Sequence, residues 1–170
     1  MKSETIETLA IAEQFTHHAK YAGVARQAVA DGYSAIDAMF SAILFESGHV
    51  PPRNHKAKLD KVRALCPTIF EERVAHLDGG GVSHSGAIQW DSIEEFYRQW
   101  LQSRYETFEL TPGEARGRVA ESLQAQSMVI TYLADQDGTD ACELMESVSR
   151  SAYGYHYSKT TEAISMAHDH

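Results

Sequence analysis

Residues 34–58 read SAIDAMFSAILFESGHVPPRNHKAK, and the change of character along this stretch decides the fold class. From Ser34 to Ser47 the apolar residues Ile36, Met39, Phe40 and Ile43 recur at helical spacing. Ala35, Ala38, Ala42, Leu44 and Phe45 widen that stripe until only Ser34, Asp37 and Ser41 remain as a polar seam. A helix so apolar around its circumference belongs at the centre of a bundle. Its end is equally legible. Gly48 can adopt the left-handed conformation that closes a helix, and Pro51-Pro52 cannot continue one. Asn54 then offers its side-chain oxygen to the free N–H groups of a further helix starting near His55.

Working outward, nearly every segment carries helical period and none alternates as a strand does. A first helix is expected over about 5–30, with Ala12, Phe15, Ala19, Ala22 and Val29 on one face and Gly32 as its break. The helix after Asn54 turns Leu59, Val62 and Cys66 inward and stops at Pro67. Thr68 and Glu71 form a capping box for a short helix through Ile69, Phe70, Val74 and Leu77. The glycine-rich run from Asp78 reads as a flexible loop over 78–90. Asp91 or Ser92 opens the next helix, with Ile93, Phe96, Tyr97, Trp100 and Leu101 inward. Thr111-Pro112-Gly113-Glu114 combines an N-cap, a first-turn proline and a box-closing glutamate. That helix uses Val119, Leu123, Ile130 and Leu133, and a last one over about 140–152 buries Leu144, Met145 and Val148. The polar tail 154–170 stays unassigned. The expected fold is all-α: one domain over 1–170, an up-and-down bundle of four to five main helices plus short ones.

Composition agrees with a single core: 170 residues, 43% apolar and 23% charged. No long apolar run stands out as a membrane span, and the polar, acidic start does not resemble a signal peptide, so a cytoplasmic location is expected. Cys66 and Cys142 lack metal or redox spacing and read as free, buried thiols. A net charge of −9 excludes bulk binding to a phosphate backbone. One window departs from it: Arg53, Lys56, Lys58, Lys61 and Arg63 stand against the single Asp60. That window is either a local anion site or a solvated helix face.

Few catalytic patterns survive inspection. The only Glu-x-x-His, Glu46 to His49, straddles the helix-ending Gly48, so neither a metal nor a cofactor is expected. There is no nucleophile elbow and no phosphate-binding loop.

His17-His18-Ala19-Lys20, then Ala38-Met39-Phe40-Ser41-Ala42, Gly48, Pro52-Arg53-Asn54-His55 and later Arg104-Tyr105 follow one another in an order that resembles the HEPN superfamily of small helical bundles. The resemblance covers about residues 12–135. A homodimer is expected from the residues, because the apolar helix over 34–47 and the aromatic-rich run 93–101 offer more apolar face than one small bundle needs. The resemblance implies a nucleotide- or RNA-associated module of the defence or toxin–antitoxin kind, with a nucleotidyltransferase as a candidate partner. Many such proteins are metal-independent ribonucleases using an Arg and a His with four to six residues between them. In that chemistry the histidine relays protons and the arginine fork steadies the phosphorane. The only such spacing here is Arg150 to His156, beyond the matched region and interrupted by Gly154.

The candidate residues are therefore Arg53, His55, Lys56 and Arg104 for binding, and Arg150 with His156 for catalysis. Asp37 is either a buried partner of Arg53 or Arg104 or part of a water-facing seam. The leading expectation is a non-catalytic or weakly active nucleotide- or RNA-binding module. A ribonuclease using Arg150 and His156 is one alternative, and a structural or regulatory protein-interaction module is another.

Overall fold

The structure, a computed structural model, describes residues 1–70, 75–77, 81–83, 88–104 and 109–168, with side chains for 1–70, 88–104 and 109–154. It is an all-α bundle of six helices: α1 (Ser3–Lys20), α2 (Ala25–Glu46), α3 (His55–Leu65), α4 (Trp90–Gln102), α5 (Pro112–Asp137) and α6 (Ala141–His168). A small antiparallel pair, β1 (Ala75–Leu77) and β2 (Gly81–Ser83), lies between α3 and α4. Leu77, expected in a short helix, is thus in a strand, and of the expected loop 78–90 residues 81–83 are strand, Ile88 is buried and Trp90 begins α4. Thr68, Ile69 and Phe70, expected to start that helix, form a turn, while its members Glu71 and Val74 and residues 78–80 and 84–87 of the loop lie outside the described residues.

α1 and α2 form an antiparallel hairpin whose ends cap each other. At α1's start, Glu46 accepts hydrogen bonds from the Lys2 backbone N–H (3.1 Å) and the Thr5 hydroxyl (2.8 Å). In return the Lys2 ammonium donates to the last carbonyls of α2, Phe45 O at 2.8 Å and Glu46 O at 3.2 Å. Each helix end leaves backbone groups without intrahelical partners, and its neighbour supplies them. α5 runs antiparallel to α1, since the Met1 amino group lies 2.8 Å from Asp137 while Glu13 bonds Gln126. α5 and α6 form the second hairpin, and α3, the strand pair and α4 make the excursion between α2 and α5.

The break in the first expected helix is at residues 21–24, not at Gly32. Gly32 is inside α2 and buried because two neighbours come close. A Cβ there would lie 2.9 Å from the Phe96 ring, and the Ser122 hydroxyl donates to its carbonyl at 3.0 Å. Other signals hold. Asn54 caps α3, accepting from Ala57 N–H at 2.9 Å. Gly48 has the left-handed φ of 80°. Thr111 and Glu114 close a reciprocal box at the start of α5.

α2 supplies the centre of the core, with Tyr33, Ile36, Met39, Phe40, Ile43 and Leu44 fully buried. By length and composition it is also the one described helix able to cross a membrane, yet 61% of its apolar window is covered by the rest of the chain. Leu123, expected inside, is 41% exposed, because α5 turns Ala115, Ser122, Ala125, Gln126 and Val129 to the core instead. Cys66 is buried as expected, whereas Cys142 is exposed. The tail from 154 is not a separate segment: the backbone of α6 continues helically through Gly154 to His168.

Candidate functional site

The polar seam of α2 does not face water. Asp37 is largely buried, and it meets the first turn of α3 with both oxygens. His55 Nδ1 stands 2.9 Å from Oδ1, and Lys58 Nζ donates to Oδ2 at 2.6 Å. The local sequence explains the meeting. Because Asn54 starts α3 at His55, His55 and Lys58 fall at i and i+3, on one face of the helix. Lys58 is only 7% exposed, so its ammonium and the carboxylate satisfy each other inside the protein. The carboxylate can only accept, so in the neutral ring Nδ1 is the nitrogen carrying the proton and Nε2 keeps its lone pair.

One turn before Asp37, Tyr33 is fully buried, and its hydroxyl has no partner among the described residues. Burial first, and then the Asp37 carboxylate, push its ionisation far above the ordinary range, so the hydroxyl keeps its proton. Against it pack three rings from α4: Phe96 at 5.7 Å, Tyr97 at 5.5 Å and Trp100 at 5.4 Å between centroids. Trp100 joins the imidazole and the guanidinium of the site. The His55 ring lies across it at 4.7 Å and 71°, and the Arg104 guanidinium sits 4.1 Å from its centroid. Arg104 is exposed and His55 half-exposed, so this end of the cluster opens to solvent.

Of the residues singled out from sequence, the structure brings His55 and Arg104 together on one indole. Arg53 is exposed just ahead of the α3 cap. Lys56 points elsewhere: its ammonium is 2.8 Å from Asp60 and 3.4 Å from Glu94, and these carboxylates, the Asp60 hydrogen bond first, raise its pKa. Glu94 also takes Arg63 at 2.8 Å. The basic window is therefore largely paired with carboxylates rather than free as an array. Asp37's partners are His55 and Lys58, not Arg53 or Arg104.

Arg150 is exposed on α6, on a groove of about 480 Å³ with Cys142, Met145, Glu146 and Ser149. The side chain of His156 lies outside the described residues, but its backbone is helical, so Gly154 does not break the segment between them. Six residues along one continuous α-helix, the two positions stand about 120° apart around the axis and about 9 Å along it. They do not converge within one chain. Elsewhere Glu13 ties three helices, accepting from Gln126 and from the Tyr153 hydroxyl at 3.2 Å. Burial, aided by Glu13, pushes that phenol up to about 12. Among the described residues no three His, Cys, Asp or Glu side chains gather as a metal-ligand set.

Sequence reasoning missed Lys58, Tyr33 and Trp100 as members of the site. The available signal was the lone acid, Asp37, in an otherwise apolar stripe, because a buried carboxylate requires a partner. No protein-family model matches the chain, and no curated protein or solved structure matches it either.

Proposed function

We propose that the protein is a HEPN-like helical module that binds a phosphate-bearing ligand, a nucleotide or single-stranded RNA, at the face formed by His55, Trp100 and Arg104. The observation that carries this reading is the pairing of an exposed guanidinium and a half-exposed imidazole on one indole, 4.1 and 4.7 Å from its centroid. A guanidinium fork suits phosphate oxygens, and Trp100, itself buried, is the ring on which both groups rest. On a body of net charge −9, binding is local and confined to few phosphates. Non-catalytic or weakly active binding is favoured over cleavage by Arg150 and His156, whose positions diverge around α6. Homodimer assembly and a nucleotidyltransferase partner, in a defence or toxin–antitoxin setting, belong to the same reading.

The test is fluorescence anisotropy with a short fluorescein-labelled single-stranded RNA at low salt. Arg104→Ala should weaken binding by about tenfold or more, as loss of a charge-assisted contact to phosphate does, and adding His55→Ala should weaken it further. Lys56→Ala, which removes an ammonium already engaged by Asp60 and Glu94, should change it little. Wild-type binding that survives the double change at Arg104 and His55 sinks the proposal, as does no wild-type binding.

A further inference from the structure

We propose that His55 is a phosphoryl acceptor, taking a phosphoryl group covalently on Nε2 from a donor of high transfer potential such as a phosphoramidate. The inference rests on the anion-binding reading of the same face only for the docking of the incoming group. Three features of the site set His55 apart. Its ring is held in one tautomer, because Asp37 Oδ1 lies 2.9 Å from Nδ1 while Lys58 occupies Oδ2 at 2.6 Å. Nε2 therefore carries the lone pair, has no partner among the described residues, and belongs to a side chain 39% exposed. The third feature is charge: the Arg104 guanidinium stands over the same Trp100 that the imidazole contacts, and a guanidinium suits phosphoryl oxygens.

The transfer is balanced without any group beyond the donor. The Nε2 lone pair forms the new N–P bond, and the P–N bond of the donor, whose nitrogen is already protonated as in zwitterionic phosphoramidate, breaks with its electron pair going to nitrogen, releasing ammonia. The imidazole becomes a phospho-imidazolium, and its proton stays on Nδ1. Positive charge thus develops on the ring during the step, and the Asp37 carboxylate is already positioned to stabilise it. Asp37 acts here as a positioning residue and Lys58 as the group that fixes it. His17, His18 and His49 are exposed as well but have no carboxylate partner among the described residues, which makes them internal controls.

The experiment incubates the full chain with phosphoramidate and follows each histidine by peptide mass spectrometry, with phosphorus NMR to separate Nε2 from Nδ1 attachment. His55 should be modified on Nε2 about tenfold faster than His17, His18 or His49, a modest share of what an oriented acid–base partner supplies. His55→Gln should abolish the fast phase, and Asp37→Asn should lower His55 to the rate of the controls. Circular dichroism reports whether Asp37→Asn still folds; if it does not, the wild-type comparison among histidines decides alone. His55 reacting no faster than the controls, attachment at Nδ1, or a fast phase that persists in His55→Gln overturns the proposal. RNA binding that depends on Arg104 without selective phosphorylation sinks this inference and leaves the binding reading standing. Selective phosphorylation without RNA binding does the reverse.

Discussion

At the scale of single residues, glycines of α2 and α5 separate two effects that sequence alone confounds. Gly32 and Gly117 are both interior helix positions, where alanine is favoured by about 1 kcal/mol on propensity. At Gly117 an added Cβ meets nothing within 4 Å, so Gly117→Ala should stabilise by most of that amount. At Gly32 it meets the Phe96 ring at 2.9 Å, in a core closed further by the Ser122 bond to its carbonyl. Overpacking of that kind costs about 1–3 kcal/mol, so Gly32→Ala should be destabilising overall. Urea denaturation of the two variants checks the opposite signs. Lys58 offers a sharper case, since its ammonium is buried against Asp37. Lys58→Ala leaves a buried carboxylate with His55 alone and should cost about 3 kcal/mol or more in the same assay.

At the scale of elements, the signals that were legible are those in which one residue satisfies a local backbone need. Gly48, Asn54 and the Thr111–Glu114 box each stand where expected, because capping is decided within a few residues of chain. Thr111→Ala removes the acceptor for Glu114 N–H and should lower stability by about 1 kcal/mol, measured by thermal or urea melting. Signals that depend on distant neighbours misled. Gly32 looks like a helix breaker, but its lack of a side chain serves a contact with Phe96, 64 residues further along the chain. Leu123 looks like a core residue, but the small side chains Ala125 and Ala115 set which face of α5 approaches α2. The site divides in the same way. His55 and Arg104 were visible through a family resemblance, whereas their meeting on Trp100 and the anchoring of Asp37 by Lys58 require α2, α3 and α4 to be packed.

At the scale of the whole molecule, the expected homodimer loses the surfaces that motivated it. Residues Ile36, Met39, Phe40, Ile43, Ile93, Phe96 and Trp100 are buried within one chain. A second copy would have to use the apolar side chains left outside, such as Tyr21, Val24, Val50 and Leu123, and light scattering distinguishes the 18.9 kDa chain from its double. The same burial sets the alkaline limit of the fold. Cys66 is pushed up from 9.0 to about 11 by desolvation, and burial likewise raises Tyr33, Tyr132 and Tyr153. Each of these groups is neutral when protonated, and each ionises in the unfolded chain before it ionises in the folded one. Above the unfolded value the native state therefore holds more protons, and stability falls as pH rises. For Cys66 the contribution is complete below pH 9.0 and disappears as pH climbs through about 11. The urea midpoint should thus decline across that interval in the wild type. In Cys66→Ala the baseline is lower, because a buried sulfur is lost, but the decline with pH should be shallower. Parallel curves for the two proteins would show that the thiol stays protonated on unfolding, or that burial does not restrain it.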